Sequence, residues 1–247
     1  MNDYEIRTAA RAGTRAHTTA AAIDEGLRAY MLRVYNYMAL GVAWTAIVAM
    51  FMAANPALMA TVAMGAMKWV IFIAIIALGW FAPRLIFSGN AATAYLAYGA
   101  YATLWGVLIS PMIAFYMGTA PNLVVRALLI TAITFGATSL AGYVTRRDLS
   151  GFAGFFMMAS IGLLVAIVVN ALFFQSTMAS LITSILVVLL FAGVTAWETQ
   201  QIKAMYVAGD LPATARSKAI FGAFMLYGSF VTLFIHILNI LGIMSDE

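Results

Sequence analysis

The chain has 247 residues, of which 64% are hydrophobic and only 9% are charged. Soluble globular domains carry about 25% charged residues, so this composition indicates a membrane protein. The absence of cysteine excludes disulfides, thiolate metal sites and a cysteine nucleophile. The net charge of +4 is too small and too scattered along the chain to indicate nucleic-acid binding.

Residues 1–33 are polar and basic, and we expect them to form a tail that keeps the N-terminus in the cytoplasm. The tail lacks the short apolar core and cleavage site of a signal peptide. Residues 34–247 predict a single transmembrane domain, because their apolar runs are close to the length of about 20 residues that a span needs. The seven runs are Val34–Ala53, Ala66–Phe81, Ala92–Ser110, Leu123–Val144, Phe152–Phe174, Leu181–Met205 and Ala219–Ile243.

Turn-forming residues separate these runs and predict where the helices end. They are Asn55-Pro56, Pro83, Ser88-Gly89-Asn90, Ser110-Pro111, Gly118 with Pro121, Asp148–Gly151, Gln175-Ser176 and Gly209–Pro212.

The distribution of basic residues predicts the orientation in the membrane. With the N-terminus inside, eleven of the 13 lysines and arginines fall on the cytoplasmic side, and only Lys68 and Arg126 fall outside. Cytoplasmic loops are enriched in lysine and arginine, so this arrangement is the favoured one. The sequence therefore predicts an all-α, polytopic membrane protein of seven transmembrane helices, with a cytoplasmic N-terminus and an external C-terminus.

Glu198 is the only carboxylate that lies within an apolar run. It precedes Lys203 by five residues, which places it about 8 Å inside the cytoplasmic border of its helix. A charged residue at the centre of a membrane costs about 3 kcal/mol, so an isolated acid there indicates function. The alternative interpretation is a carboxyl group that only makes a structural hydrogen bond.

Polar side chains in the last two runs share helical faces, which usually point at other helices. They are Thr195, Glu198 and Gln201 in the sixth run, and Ser229, Thr232, His236 and Asn239 in the seventh. His236 lies two turns, about 10 Å, further along its helix than Ser229, so direct contact with Glu198 is not expected. It is either a pH-sensitive group near the outer side or a hydrogen-bonded histidine of the bundle.

Three stretches carry a resemblance to a known family. They are Thr131–Ser150 (TAITFGATSLAGYVTRRDLS), Phe191–Tyr206 (FAGVTAWETQQIKAMY) and Gly222–Gly242 (GAFMLYGSFVTLFIHILNILG), and Ile109-Ser110-Pro111 adds to them. Together they resemble the bacterial branch of the Bax inhibitor-1 family, whose members have seven membrane-spanning helices. The resemblance covers the membrane region from about Val34 to Ile243.

The resemblance implies a pH-sensitive calcium leak channel of the bacterial inner membrane. The family pairs an acid in a DTQ-like motif of the sixth helix with a second acid in the seventh, in a motif like LYLDF. Here the first position is Glu198 and the second, within Leu226-Tyr227-Gly228-Ser229-Phe230, is Ser229. A coupled acid pair is thus reduced to one acid and one hydroxyl, which should titrate as a single simple group.

Calcium prefers six to eight oxygen ligands, usually with several carboxylates. Glu198, Ser229, Thr195 and Gln201 therefore predict, at most, a transient calcium contact at Glu198, with no resident cofactor. Secondary candidates are His236 and Asn239, together with the basic turn Arg146, Arg147 and Asp148.

The alternative function is a non-conducting membrane regulator. A bacterial member of the family modulates a membrane protease, so a protease or other membrane proteins are candidate partners in addition to the lipid bilayer. No catalytic constellation is expected, because Ser229 and His236 lie seven residues apart on one helix and there is a single intramembrane acid. Lys218, at the edge of the last run, is too shallow for a retinal lysine. The sequence predicts that the protein is not an enzyme.

Overall fold

The computed structural model describes the backbone of residues 3–245 and the side chains of residues 24–245. Seven helices of this part of the chain are long and apolar enough to cross a membrane. They are α1 (Asp3–Ala53), α2 (Met67–Ile86), α3 (Ala91–Thr119), α4 (Pro121–Val144), α5 (Ala153–Val169), α6 (Thr177–Ala204) and α7 (Pro212–Ser245). The all-α fold of seven membrane-spanning helices is therefore confirmed.

Short helical turns complete the connections. A turn at Pro56–Met59 leads into a π-helical turn at Ala60–Met64, between α1 and α2. A 3₁₀ turn at Ser150–Phe152 precedes α5, and a π-helical turn at Asn170–Phe174 follows it. The side chain of Asn170 bonds both the N–H and the C=O of Ser176, at 3.1 Å each. These two bonds fix the turn between α5 and α6.

The N-terminal helix α1 begins well before the predicted span. Its membrane-crossing part is Asp24–Ala53, whereas the sequence places the start at Val34. The arginines of the tail before residue 24 lie outside the residues whose side chains are described, as do Asp246 and Glu247. The division of the chain at residue 33 stays a prediction.

Two predicted breaks are wrong, because Pro83 and Pro111 lie inside α2 and α3. Proline lacks the N–H that would bond the carbonyl four residues earlier. For Pro111 that carbonyl belongs to Val107, and the hydroxyl of Ser110 donates to it at 2.7 Å. A neighbouring serine thus supplies the missing bond, which is how membrane helices tolerate an internal proline.

Helix α7 occupies the centre of the bundle. It packs against α1, α2, α3, α4 and α6, and 15 of its 34 residues are buried. Helix α5 is the opposite case, because it packs against α6 alone among the other spanning helices and none of its residues is fully buried. The residues that face inward from the surrounding helices therefore converge on α7.

The helix ends that carry basic residues gather on one face, which we call the basic face. There Tyr30 lies against Tyr206 with ring centroids 5.7 Å apart, and Phe87 lies against Phe221 at 5.4 Å. Asp210 and Lys218 form an ion pair of 2.6 Å at the same face. The other end of the bundle is called the opposite face.

A close contact between α4 and α6 requires a glycine. A Cβ atom at Gly142 would overlap the backbone carbonyl of Ala196, and backbone cannot move aside as a flexible side chain can. Gly136 lies on the same helix, and a Cβ there would meet no atom within 4 Å.

We expect Gly142→Ala to destabilise the protein by about 1–3 kcal/mol, the usual cost of an overpacked contact. Thermal unfolding of the purified protein in detergent should show a midpoint lower by several degrees. Gly136→Ala is the matched control and should leave the midpoint unchanged or raise it slightly. Equal midpoints for the two variants would contradict the close approach of α4 and α6.

The predicted orientation can be tested directly because the chain has no cysteine of its own. Ser88 lies in the exposed loop at the basic face, and Gly118 is exposed at the opposite end of α3. In spheroplasts, a membrane-impermeant maleimide should label Gly118→Cys at once and Ser88→Cys only after permeabilisation. The reverse pattern would show that the basic face is external.

Candidate functional site

The carboxylate of Glu198 lies deep among the helices, on α6. The hydroxyl of Ser229, on the central helix α7, donates to its Oε2 atom at 2.6 Å. Ser229 is 1% exposed, whereas the Glu198 side chain keeps some accessible surface. No ion pair with a lysine or arginine is found for Glu198 among the described side chains. The structure thus places the acid and the hydroxyl of the two family positions in direct contact.

Tyr101, on α3, completes the surroundings of this pair. It lies close enough to Glu198 for the two groups to interact electrostatically. Its hydroxyl also faces the backbone beside Ser229, since a Cβ atom at Gly228 would lie 3.7 Å from it. The carboxylate therefore has one hydroxyl bonded to it and a second one nearby.

Two residues expected at this site are directed elsewhere. Thr195 is fully buried, but its hydroxyl donates to the carbonyl of Phe191 in its own helix at 2.7 Å. Gln201 donates from its side chain to the hydroxyl of Ser150 at 2.9 Å, at the basic face. The helical face that they share with Glu198 does not bring their polar groups to the carboxylate.

A chain of hydroxyls that the sequence analysis missed lies beside the site. Tyr35 and Ser139 are 2.6 Å apart, and Ser139 and Thr199 are 2.8 Å apart. Thr199 donates its proton to the carbonyl of Thr195, so Ser139 must donate to Thr199 and Tyr35 to Ser139, because each hydroxyl has one proton. This directed chain connects α1, α4 and α6 next to Glu198. The signal in the sequence that could have pointed to this chain is the position of Thr199 directly after Glu198.

Gln200 is a further residue that the sequence analysis missed. Its side-chain carbonyl accepts from the N–H of Leu149 at 2.8 Å, and its amide donates to the carbonyl of Arg147 at 2.8 Å. At the next turn the ammonium of Lys203 donates to the carbonyl of Tyr143 at 2.9 Å. The end of α6 that carries Glu198 is therefore attached to the loop between α4 and α5.

The basic turn Arg146, Arg147 and Asp148 belongs to that loop and not to the interior. The N–H of Ser150 donates to the Asp148 carboxylate at 2.8 Å and holds the pKa of Asp148 below its usual range. The ionised form therefore favours the folded loop at neutral pH, and this contribution is lost as the pH falls through the lowered pKa. The structure keeps these three residues in the loop and does not bring them to Glu198.

His236 and Asn239 lie on the side of Glu198 towards the opposite face, in a separate polar cluster. Ser184 lies 3.0 Å from Nδ1 of His236, and the amide of Asn239 donates to Ser180 at 3.0 Å and to Ser184 at 2.9 Å. The cluster lines a cavity of about 540 Å³, which we call the polar cavity. Its polar lining residues carry hydroxyl or amide groups, and His236 adds an imidazole.

A metal ion would find few ligands in these surroundings. Among the described side chains, no three histidines, aspartates or glutamates come together. Glu198 would be the single carboxylate available to a cation at the buried site, so a cation held there would be bound weakly.

The fold and this site define a polytopic helical membrane protein with one buried carboxylate held by a hydroxyl of its central helix. The family model for the inhibitor of apoptosis-promoting Bax1 matches residues 27–246. The chain therefore belongs to the Bax inhibitor-1 family.

Bacterial proteins are among the relatives of this chain. The chain is 35% identical over 223 residues to the uncharacterised protein RP147 of Rickettsia prowazekii, covering 90% of this chain and 93% of that protein. An uncharacterised protein of Deinococcus radiodurans is 38% identical over 229 residues, covering 91% and 94%. The inner membrane protein YbhL of Escherichia coli is 34% identical over 220 residues, covering 88% and 92%. With seven candidate spans, the chain is a multi-pass protein of the inner membrane.

Gln200→Met would remove both bonds to the loop while keeping the length of the side chain. We expect faster hydrogen exchange at the amide of Leu149, since that N–H loses its acceptor. Gln201→Met is the control, because Gln201 bonds the side chain of Ser150 and no backbone N–H. Unchanged exchange at Leu149 in the Gln200 variant would show that its side chain does not hold the loop.

Proposed function

We propose that this protein is a slow, normally closed cation leak of the inner membrane, with calcium among the cations that pass, and not an enzyme. The observation that supports it best is the buried contact of 2.6 Å between Glu198 and Ser229. A carboxylate inside a membrane bundle is costly, and such residues mark ion and proton pathways. Membership of the Bax inhibitor-1 family adds the precedent of a calcium leak.

Two cavities provide a route towards Glu198 from the opposite face. The polar cavity ends at His236, which also lines a second cavity of about 510 Å³, here called the lateral cavity. The lateral cavity continues past Thr232 to Tyr101, the residue beside Glu198. Hydroxyl, amide and imidazole groups along this route can replace part of the water shell of a cation.

Apolar side chains close the route between Glu198 and the basic face. Val34 and Ile202 are both fully buried, and a Cβ atom at Gly222 would lie 3.3 Å from Val34 and 3.0 Å from Ile202. We call these three residues the apolar seal. Conduction requires α1, α6 and α7 to separate there, because an ion cannot cross a dry apolar contact at an appreciable rate.

Ser229 gives the carboxylate a defined position in the closed state. Because its hydroxyl holds one oxygen of Glu198, α6 and α7 are bonded at the level just above the apolar seal. Protonation of Glu198 would remove the charge that attracts a cation and weaken this charge-assisted bond. We therefore propose that one proton, bound at Glu198, controls the leak.

Calcium and monovalent cation flux in sealed liposomes tests the proposal. We expect Glu198→Gln to reduce the flux at least tenfold and to abolish its dependence on pH between about 6 and 8, since the amide is isosteric but carries no charge. The serine hydroxyl can still donate to the glutamine, so the packing of the two helices should be kept.

Ser229→Ala should act in the other direction and increase the flux severalfold, because it releases the carboxylate and keeps its charge. Thr195→Val is the control, since the Thr195 hydroxyl bonds its own helix and should not affect the flux. Absence of flux for the wild-type protein with every cation and at every pH would refute the leak.

The second candidate is a non-conducting regulator of membrane proteolysis or of stress responses. It is favoured by α5, which packs only against α6 among the spanning helices and has no buried residue. Met157 and Met158, on this helix, are 63% and 67% exposed. A surface of this kind suits the helix of a partner protein, and the flux measurement separates the two candidates.

A further inference from the structure

The lateral cavity opens sideways into the membrane, between α2 and α5. These two helices do not pack against each other, and α3, α6 and α7 form the floor between them. Ile76 and Leu164, one on each wall, are 48% and 37% exposed. A molecule dissolved in the hydrocarbon can therefore reach the cavity without passing through water.

Several polar groups that line the cavity have unused hydrogen-bonding capacity. Nε1 of Trp105 is buried and makes no well-aligned hydrogen bond within the described part of the chain, although the hydroxyl of Tyr101 lies near it. The hydroxyls of Ser160 and Thr232 likewise bond no described residue, unlike Thr131, which donates to its own helix at 2.7 Å. His236 uses Nδ1 for Ser184 and leaves Nε2 without a partner among the described residues.

The walls and the charge of the cavity restrict what it can bind. No lysine, arginine, aspartate or glutamate lines it, so the ligand should be uncharged. Its volume of about 510 Å³ falls in the range of small-molecule sites, about 300–1,000 Å³. Phe72, Tyr101 and Phe191 provide aromatic surface, which favours a flat ring. The indole N–H can only donate, so the ring should carry an acceptor such as a carbonyl oxygen.

We propose that the lateral cavity binds an uncharged, lipid-soluble ring with carbonyl oxygens, of the quinone class, which enters between α2 and α5. The carbonyl accepts from Trp105, and the hydrocarbon tail leaves through the gap beside Ile76 and Leu164. Binding does not depend on whether the chain conducts ions. If it does conduct, an occupied lateral cavity blocks the route from His236 to Tyr101.

Photolabelling of the full-length protein in lipid nanodiscs tests this proposal. The probe is a short-chain azidoquinone, and the labelled peptides are identified by mass spectrometry. We expect labelling of α2 and α5 at the cavity walls, reduced at least fivefold by excess decylubiquinone. Labelling that decylubiquinone does not reduce would indicate simple partitioning into lipid and overturn the proposal.

Two variants and a matched control locate the site. Gly79 lines the cavity and has no atom within 4 Å of a Cβ position, so Gly79→Leu should fill the cavity and reduce competed labelling about tenfold. Gly162 is equally open but lies outside this cavity, and Gly162→Leu should label like wild type.

Trp105→Phe keeps an aromatic ring and removes the donor, so decylubiquinone should compete about fivefold less well, as expected for one lost hydrogen bond. Should Gly79→Leu fail to give a monodisperse protein, this competition experiment decides alone. Wild-type competition in Trp105→Phe, or wild-type labelling in a folded Gly79→Leu, would overturn the proposal.

Discussion

A carboxyl group placed inside a membrane must find a hydrogen-bond donor in the protein, and this requirement organises the bundle. The donor for Glu198 is Ser229, at 2.6 Å, on the central helix. A donor in that position is available only if α7 lies against α6 at this depth, and α7 lies there because it is packed on all sides by other helices. The contact therefore links the group that is least compatible with hydrocarbon to the most buried helix of the described chain.

The rest of the polar interior supports the position of α6. The hydroxyl chain from Tyr35 through Ser139 to Thr199 ties the helix to α1 and α4 beside the acid. Gln200 ties its end to the loop after α4. The bonds of the hydroxyl chain are strong because little water competes for them inside the bundle. Because α6 is fixed on three sides, movement of α7 and its neighbours relative to α6 is the simplest way to open the apolar seal.

The helices of this fold could be predicted from the sequence because hydrocarbon demands long apolar runs. Their ends could not, as α7 shows: it begins at Pro212, seven residues before the apolar run at Ala219, since polar residues continue a helix beyond the membrane. Pro111 misled for a related reason. The sequence shows a proline, which usually breaks a helix. The hydrogen bond from Ser110 to the Val107 carbonyl, which replaces the missing backbone bond, is seen only in the structure.

The candidate site was predictable in part. Family resemblance paired Glu198 with Ser229, and the structure places them in contact. Helical periodicity also put Thr195 on the same face, but periodicity gives the side of a helix and not the hydrogen-bond partner, and its hydroxyl turns back to Phe191. Gln200 escaped prediction because its partners are backbone atoms of a loop that is distant in sequence.

In the proposed leak, Ser229 acts through Glu198 and not independently. The most direct test measures cation flux for Glu198→Gln, Ser229→Ala and the double variant in one set of liposomes. If the two residues act as one contact, the double variant should have the flux of Glu198→Gln, because Ser229→Ala has no charge left to release. A double variant in which the two single effects multiply would show that the residues act separately and would contradict the claim.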